Sequence, residues 1–347
     1  MDSSGWHPAG RAGRVLRGLL ALCVLSLAAC ATPRSLDGRV VVVTGASSGF
    51  GKGVALRAAE EGASVVLAAR REALLDALER DIVARGGSAL AVPTDVADPA
   101  QVERLAAAAL ARYGRIDVWI NNAGVGALGA FDAVPLADHL RVLEVNLDGV
   151  VAGSHVALRQ FRRQGAGTLI NVASVAGRIP FPYYASYAAS KHGVLGLGLT
   201  LHQELRLQGL RDIRVSTILP FAADTPWFDH AANYSGRRPR MVLMDPPEKV
   251  VDAIVGAIHR PRKQISVGYK ARLGVFAHAV APGPTQRLAA SVVHRVQIEN
   301  APPAEDGSGS LHVPMQEGTG VDGGVRARMR EERRRDEAPA HPDRDGR

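Results

Sequence analysis

Residues Arg39 to Gly53 read RVVVVTGASSGFGKG, and this stretch limits the possible folds more than any other. Four consecutive valines, Val40 to Val43, show no polar alternation, so the strand they form is expected to be buried on both faces, as strands of parallel sheets are. Thr44 follows, then glycines at 45, 49 and 51, then the alanine-rich helical run VALRAAEEGA. Strand, glycine turn and helix in that order make a seat for a pyrophosphate. Glycines without β-carbons admit an anion close to the backbone, and the helix N-terminus offers unpaired N–H groups and the positive end of its dipole. The residues expected to line this seat are Gly45, Ser47, Ser48, Gly49, Phe50 and Gly51.

The spacing TGxxxGxG differs from the GxGxxG of the long Rossmann dehydrogenases. It also fails as a phosphate loop of the GxxxxGK[ST] type. Lys52 follows Gly51 as that motif requires, but Ala46 and Gly53 occupy positions where it needs Gly and Ser or Thr. In its strand-to-helix context the stretch resembles the short-chain dehydrogenase/reductase family. The resemblance implies a nicotinamide dinucleotide, NAD or NADP, as cofactor. It also implies an α/β fold, a single doubly wound Rossmann-type domain with a central seven-stranded parallel sheet flanked by helices. The uninterrupted alternation of strand-like and helix-like runs through the middle of the chain points the same way.

The 347 residues, 46% hydrophobic and 22% charged, can bury a large core. The net charge of +8 is concentrated in the body, because residues 1–36 hold four arginines against one aspartate and residues 301–347 hold eight arginines against ten acids. A basic body suits an anionic cofactor or a lipid surface, and no helix or aromatic platform arranged to read nucleic acid accompanies it. Both cysteines, Cys23 and Cys30, precede the body, which therefore contains no disulfide. The eleven histidines form no HExxH or paired-cysteine pattern, so no metal site is expected.

Residues 1–34 are signal-like. Arg11, Arg14 and Arg17 precede the apolar run Gly18 to Ala29, which is short for a membrane span, and Leu27-Ala28-Ala29-Cys30 resembles a bacterial lipobox. Membrane association through this segment is one expectation. A leader translated from an upstream start, ahead of a cytoplasmic enzyme, is the other.

Strand two, Ser64 to Arg70, ends in Arg70 and Arg71 with no carboxylate. An acidic residue there would receive the ribose 2′-hydroxyl of NAD, whereas arginine suits the 2′-phosphate of NADP, so Arg70 points to NADP with NAD as the alternative. Arg71 is expected to open the next, solvated helix. Strand three leads to Asp95 and Val96. The resemblance gives Asp95 the adenine amine, and helix capping by Asp95 or Asp98 is the competing reading. Strand four runs into Asn121-Asn122-Ala123-Gly124, the NNAG of the family, from which Asn121, Ala123 and Gly124 are carried over as cofactor residues. Asn146 interrupts a helix expected from about Ala137 to Arg163. Asparagine is a poor helix former, and the resemblance implies that it widens the helix and serves a proton path.

The catalytic constellation is Ser174, Tyr187 and Lys191. Ser174 ends strand five, thirteen residues before Tyr187, as the family spacing requires. Tyr183 and Tyr184 compete for the role of Tyr187, but only Tyr187 has a lysine at i+4, on the same helical face. A phenol with a reference pKa of about 10 is a sluggish base at neutral pH, and a neighbouring ammonium is expected to lower it. The resemblance also has Lys191 hold the nicotinamide ribose, with Pro220 and Thr225 near the carboxamide. An irregular lid from Phe221 to Asp245 carries Trp227, Phe228 and Tyr234. With Val175, Phe181 and Tyr183 these suggest a lipophilic carbonyl or alcohol substrate, and a non-catalytic dinucleotide-binding sensor or scaffold is the alternative to an oxidoreductase. The catalytic domain is expected to span 35–272 and a helical extension 273–300, which could form a dimer contact, lie on a membrane or cover the substrate entrance. From 301 the Pro, Gly and charged composition reads as a disordered tail. The resemblance further implies a homo-oligomer.

Overall fold

The computed structural model describes residues 35–337. The signal-like segment, with Cys30 and the expectation of membrane association through it, lies outside the described residues. Among the described residues no helix is long and apolar enough to cross a membrane.

Seven strands, β1 (Val40–Thr44), β2 (Ser64–Ala69), β3 (Ser88–Pro93), β4 (Val118–Asn121), β6 (Gly167–Val172), β7 (Ile213–Leu219) and β9 (Gln264–Ser266), form one sheet in the order β3-β2-β1-β4-β6-β7-β9. Every pairing in it is parallel, which is the doubly wound fold the sequence implies. The four valines of β1 split between the two faces. Val41 and Val43 pack with helices α1 (Gly49–Glu60), α2 (Glu72–Ala84) and α8 (Pro247–His259), while Val40 and Val42 pack with α3 (Pro99–Tyr113) and α5 (Gly149–Gln164). Burial on both faces is why a run of four apolar residues is stable here without alternation.

Strand order reverses between β1 and β4, and the crevice above that switch point is where ligands of such sheets bind. Helix α4 (Leu136–Leu143) continues into α5 through a π-helical turn, Glu144–Asp148, with Asn146 at its centre. The expected local widening of this helix is present. The long helix α6 (Ala185–Leu207) follows β6, and α7 (Trp227–His230) lies in the lid. The sequence reading missed a two-stranded parallel pair, β5 (Ala127–Gly129) with β8 (Ala232–Tyr234), which ties the lid to the loop after β4.

The extension is a helix pair, α9 (Gly268–Val280) and α10 (Pro282–His294). Pro282 opens α10, where its missing N–H costs nothing. Residues 301–337 correct the expectation of a disordered tail. Gly307 pairs with Asn233 across two backbone hydrogen bonds of 2.8 Å, Leu311 and Val325 are fully or nearly fully buried, and the chain ends in α11 (Val325–Glu337). The carboxylate of buried Asp224 accepts the first two N–H groups of α11, from Val325 at 2.8 Å and Arg326 at 2.9 Å. A charged acceptor at a helix N-terminus is a favourable end for the segment to meet.

Candidate functional site

The glycine turn is fixed by close approach. Gly45 has φ +69°, and a Cβ there would lie 2.9 Å from the Ala123 Cα; one on Gly51 would lie 2.1 Å from the Gly45 carbonyl oxygen. No other residue fits either position without moving backbone. Thr44 stitches the turn to the loop after β4. Its hydroxyl donates to the Ile120 carbonyl at 3.2 Å and accepts the N–H groups of Asn122 and Ala123 at 2.9 and 3.1 Å, while Asn122 Nδ2 donates to the Thr44 carbonyl at 2.9 Å.

A cavity of about 460 Å³ opens over this turn and runs along the carboxyl ends of the strands. Its walls include the expected Gly45, Ser47, Ser48, Gly49, Phe50, Arg70, Asp95, Val96, Ala123, Gly124, Pro220 and Thr225. Two of the expected cofactor residues do not line it. Gly51 stands behind the turn as a packing glycine. Asn121 is buried between strands, its Nδ2 donating to Asn171 Oδ1 at 2.9 Å and to Ser154 Oγ at 3.2 Å, and its Oδ1 accepting from Trp119 Nε1 at 2.8 Å. The neighbouring Asn122 lines the cavity instead, because alternate residues of a strand end point to opposite faces.

At the end of β2 the two arginines divide. Arg71 opens α2 as expected, as its N-cap, but its side chain turns back toward the glycine turn. Its guanidinium reaches Ser47 Oγ at 2.9 and 3.1 Å and Ser48 Oγ at 2.6 Å. Arg70 donates to the carbonyls of Ser310, Leu311 and His312. Asp95 is held by an ion pair with Arg141, and Asp98 is the residue that caps α3. The C-terminal segment thus forms a strap across the cofactor-side rim. Arg71 also donates to Met315 and Glu317 carbonyls at 3.2 Å, Lys52 to Thr319 at 3.0 Å, and the Gly49 N–H to Gly320 at 2.9 Å. Ser310, Pro314 and Met315 of the strap line the cavity.

Farther along the same cavity stand Ser174, Tyr187 and Lys191. Burial raises the Tyr187 phenol above its usual range, and a hydrogen bond with the Ser174 hydroxyl opposes that rise. The expectation that Lys191 is the main group lowering the phenol is therefore corrected. The Lys191 ammonium lies 5.7 Å from the Tyr187 ring centroid and donates to the Val172 carbonyl at 2.9 Å. Burial lowers its own pKa to about 8, because desolvation disfavours the charged form. Asn146 is buried and clamps the loop after β4, its Oδ1 accepting from the Val125 N–H at 2.8 Å and its Nδ2 donating to the Val125 carbonyl at 2.9 Å. A Cβ on Gly124 would meet Asn146 Oδ1 at 3.4 Å and Lys191 Nζ at 3.5 Å, so glycine there keeps the space between the two open. The rival tyrosines are engaged elsewhere. Tyr184 donates to Gln297 Oε1 at 3.4 Å, and Tyr183 shares a 2.6 Å hydrogen bond with His294 Nδ1.

Residues 39–233 match the family described as short chain dehydrogenase. The chain belongs to that family. An uncharacterized oxidoreductase, YxnA, of Bacillus subtilis is 34% identical over 272 residues, 78% of this chain and 76% of that one. The 3beta-hydroxysteroid dehydrogenase 1 of Eggerthella lenta is 41% identical over 194 residues, 55% of this chain and 73% of the relative. A short chain dehydrogenase/reductase from Burkholderia phymatum, solved in complex with NAD, superposes with a TM-score of 0.64 at 30% identity, covering 74% of this chain and 97% of that one.

In this short-chain dehydrogenase the far end of the cavity is apolar. Trp227 packs at 5.1 Å between ring centroids from Tyr187 and at 6.3 Å from Tyr184, in space that Gly126 leaves free, since a Cβ there would lie 2.3 Å from the indole. Ile179, Phe181, Phe228, Leu243 and Leu288 continue the wall. Tyr183 and Tyr234, expected here, do not line it, and Tyr234 donates to Asp138 at 2.5 Å. Sequence reasoning missed Asn122 and the strap and left the Arg71 side chain on the solvated helix. Of the three readings left open for 273–300, covering the substrate entrance is the one that the α10 residues in the wall match. Asn122, inside the NNAG tetrapeptide, and Arg71, beside Arg70 at the end of β2, carried sequence signals of their own.

Proposed function

We propose that the chain catalyses NADP(H)-dependent interconversion of a lipophilic carbonyl and its secondary alcohol. The observation that carries this reading is the meeting of Ser174, Tyr187 and Lys191 with the glycine turn in one cavity. The residues present fit a dinucleotide. The turn has no β-carbons where a pyrophosphate approaches, Gly45 and Gly49 both having positive φ, and the rim beyond β2 offers guanidinium and hydroxyl donors with no carboxylate of its own. Bound there, the nicotinamide supplies or accepts the hydride.

Ser174 hydrogen-bonds the substrate oxygen and Tyr187 passes it a proton, or takes one from the alcohol in the reverse direction. Lys191 holds the ribose side of the site and, with a pKa of about 8, exchanges protons near neutrality. Asn146 fixes the loop that faces Lys191. NADP is favoured over NAD by the cluster of Arg71, Ser47 and Ser48, which presents a charge-assisted seat for a 2′-phosphate. The rival, NAD, is favoured by the engagement of Arg70, expected to take a 2′-phosphate, with strap carbonyls, by the strap carbonyls that Arg71 also serves, and by the NAD bound by the Burkholderia phymatum relative. A lipophilic substrate is favoured by the apolar walls around Trp227 and by the hydroxysteroid activity in the name of the Eggerthella lenta relative.

The test is a titration of the full chain with NADPH and NADH, followed by the Arg71→Ala variant. Tighter NADPH binding is expected, and loss of a charge-assisted phosphate contact, worth about 1.5–3 kcal/mol, should weaken NADPH at least tenfold and leave NADH unchanged. Equal or reversed preference in the unaltered chain would overturn the NADP assignment.

A further inference from the structure

Helices α9 and α10 present an apolar surface that no apolar side chain among the described residues covers. Tyr269, Leu273, Phe276 and Val280 of α9 are between 63% and 71% exposed. Their spacing of four, three and four residues sets them on one side of the helix. Leu288 and Val292 on α10 and Leu243 in the lid are exposed as well, Leu243 and Leu288 by 70% and 68%. These last three belong to the wall of the cavity. The α9 stripe starts next to them, where Lys270 donates its ammonium to the Leu243 carbonyl at 2.5 Å.

Along the two helices the charge is one-sided. From Ala253 to Ile298 the chain holds seven lysines and arginines and no aspartate or glutamate. Arg272, Arg287 and Arg295, all exposed on or directly after the two helices, have no carboxylate partner among the described residues, whereas Arg85, Arg115 and Arg159 elsewhere on the surface each have one. Exposed aromatic and aliphatic side chains flanked by unpaired cations are the composition that seats a helix in the headgroup region of an anionic bilayer.

We infer that the α9–α10 face docks on a membrane surface rich in anionic lipid, setting the mouth of the substrate cavity against the bilayer. The inference rests on the lipophilic substrate proposed above, and it supplies the route by which such a substrate enters without crossing water. Charge decides against a second copy as the occupant. A two-fold contact through this face would set the same unpaired arginines against one another, while lipid phosphates neutralise them.

The test is flotation of the full chain with vesicles of phosphatidylglycerol and, separately, of phosphatidylcholine. Binding to phosphatidylglycerol and little to phosphatidylcholine is expected. Leu273→Glu with Phe276→Glu should weaken it at least tenfold, and Arg272→Gln with Arg287→Gln should erase the difference between the two lipids. Neither pair lines the cavity, so oxidation of NADPH by a water-soluble ketone should continue at the unaltered rate in both variants. Loss of that rate in the unaltered chain would count against the proposed function and leave the flotation result standing. Three outcomes overturn the docking: no vesicle binding, unchanged binding by the glutamate variant, which would assign attachment to another segment, or a lipid-free dimer that sedimentation shows to be dissociated by the same variant.

Discussion

The glycine turn and the strap that crosses it are built on opposite principles. In the turn each position demands a residue type: Gly45 and Gly51 because any β-carbon collides with backbone, Thr44 because its hydroxyl joins two loops. In the strap the contacts with the site are made by main-chain carbonyls of Ser310, Leu311, His312, Met315, Glu317, Thr319 and Gly320, received by Arg70, Arg71, Lys52 and the Gly49 N–H. Every residue has a carbonyl. The lesson is that a segment can be ordered by chemistry its own side chains do not advertise.

The sharpest way to separate the two regions is to remove one group from each and ask whether chemistry and stability fail apart. Tyr187→Phe should retain cofactor binding and lose turnover by about 10²–10⁴, the usual contribution of a positioned acid or base. Initial rates with a carbonyl substrate check this, and a variant of comparable activity would remove Tyr187 from its role. Leu311→Ala should do the opposite. Leu311 is fully buried in a small cluster with Ala127, Val134, Val142 and Ala232, so its truncation should cost about 2–5 kcal/mol in denaturant unfolding. If unfolding is unmoved, the strap is not part of the fold and the comparison collapses.

A smaller effect distinguishes the adjacent arginines. Arg70→Ala should lower stability by about 1–2 kcal/mol through lost bonds to the strap, with Arg71→Ala acting chiefly on NADPH affinity. Equivalent behaviour of the two variants in thermal melts and in titrations would erase the division of labour between them.

A separate effect, spread over about two pH units, is in the pH dependence of unfolding. The Lys191 pKa in the folded chain, about 8, lies below its ordinary 10.5. Between those values the unfolded chain holds a proton that the folded chain has released, so stability gains with rising pH, by at most about 1.4 kcal/mol per unit. Below pH 8 the gain is absent. Lys191→Met should show a flatter profile than the unaltered chain from pH 8 to 10, and parallel profiles would contradict a buried, weakened ammonium.

Much of the site was legible because its chemistry requires particular side chains at fixed spacings. Ser174, Tyr187 and Lys191 meet in the cavity as their spacing implied, and the poor helix former Asn146 sits in the π-helical turn it was expected to create. The errors have separate physical causes. Asn122 took the place in the cavity wall expected of Asn121 because a one-residue step in a strand reverses the face. Arg71 moved into the site because a long flexible side chain reaches well beyond the helix it begins. Tyr183 and Tyr234 found polar partners outside the cavity, which aromatic composition alone does not reveal.

By itself, the sequence determined the parallel sheet and the glycine seat and brought Ser174, Tyr187 and Lys191 forward as candidates, because local sterics, periodicity and spacing act over a few neighbouring residues. Tertiary structure decided where residues 301–337 go, which arginine reaches Ser47 and Ser48 and which apolar side chains of α9 and α10 stay exposed. Those outcomes depend on donors and surfaces brought together from distant parts of the chain, and no spacing along the chain records such a meeting.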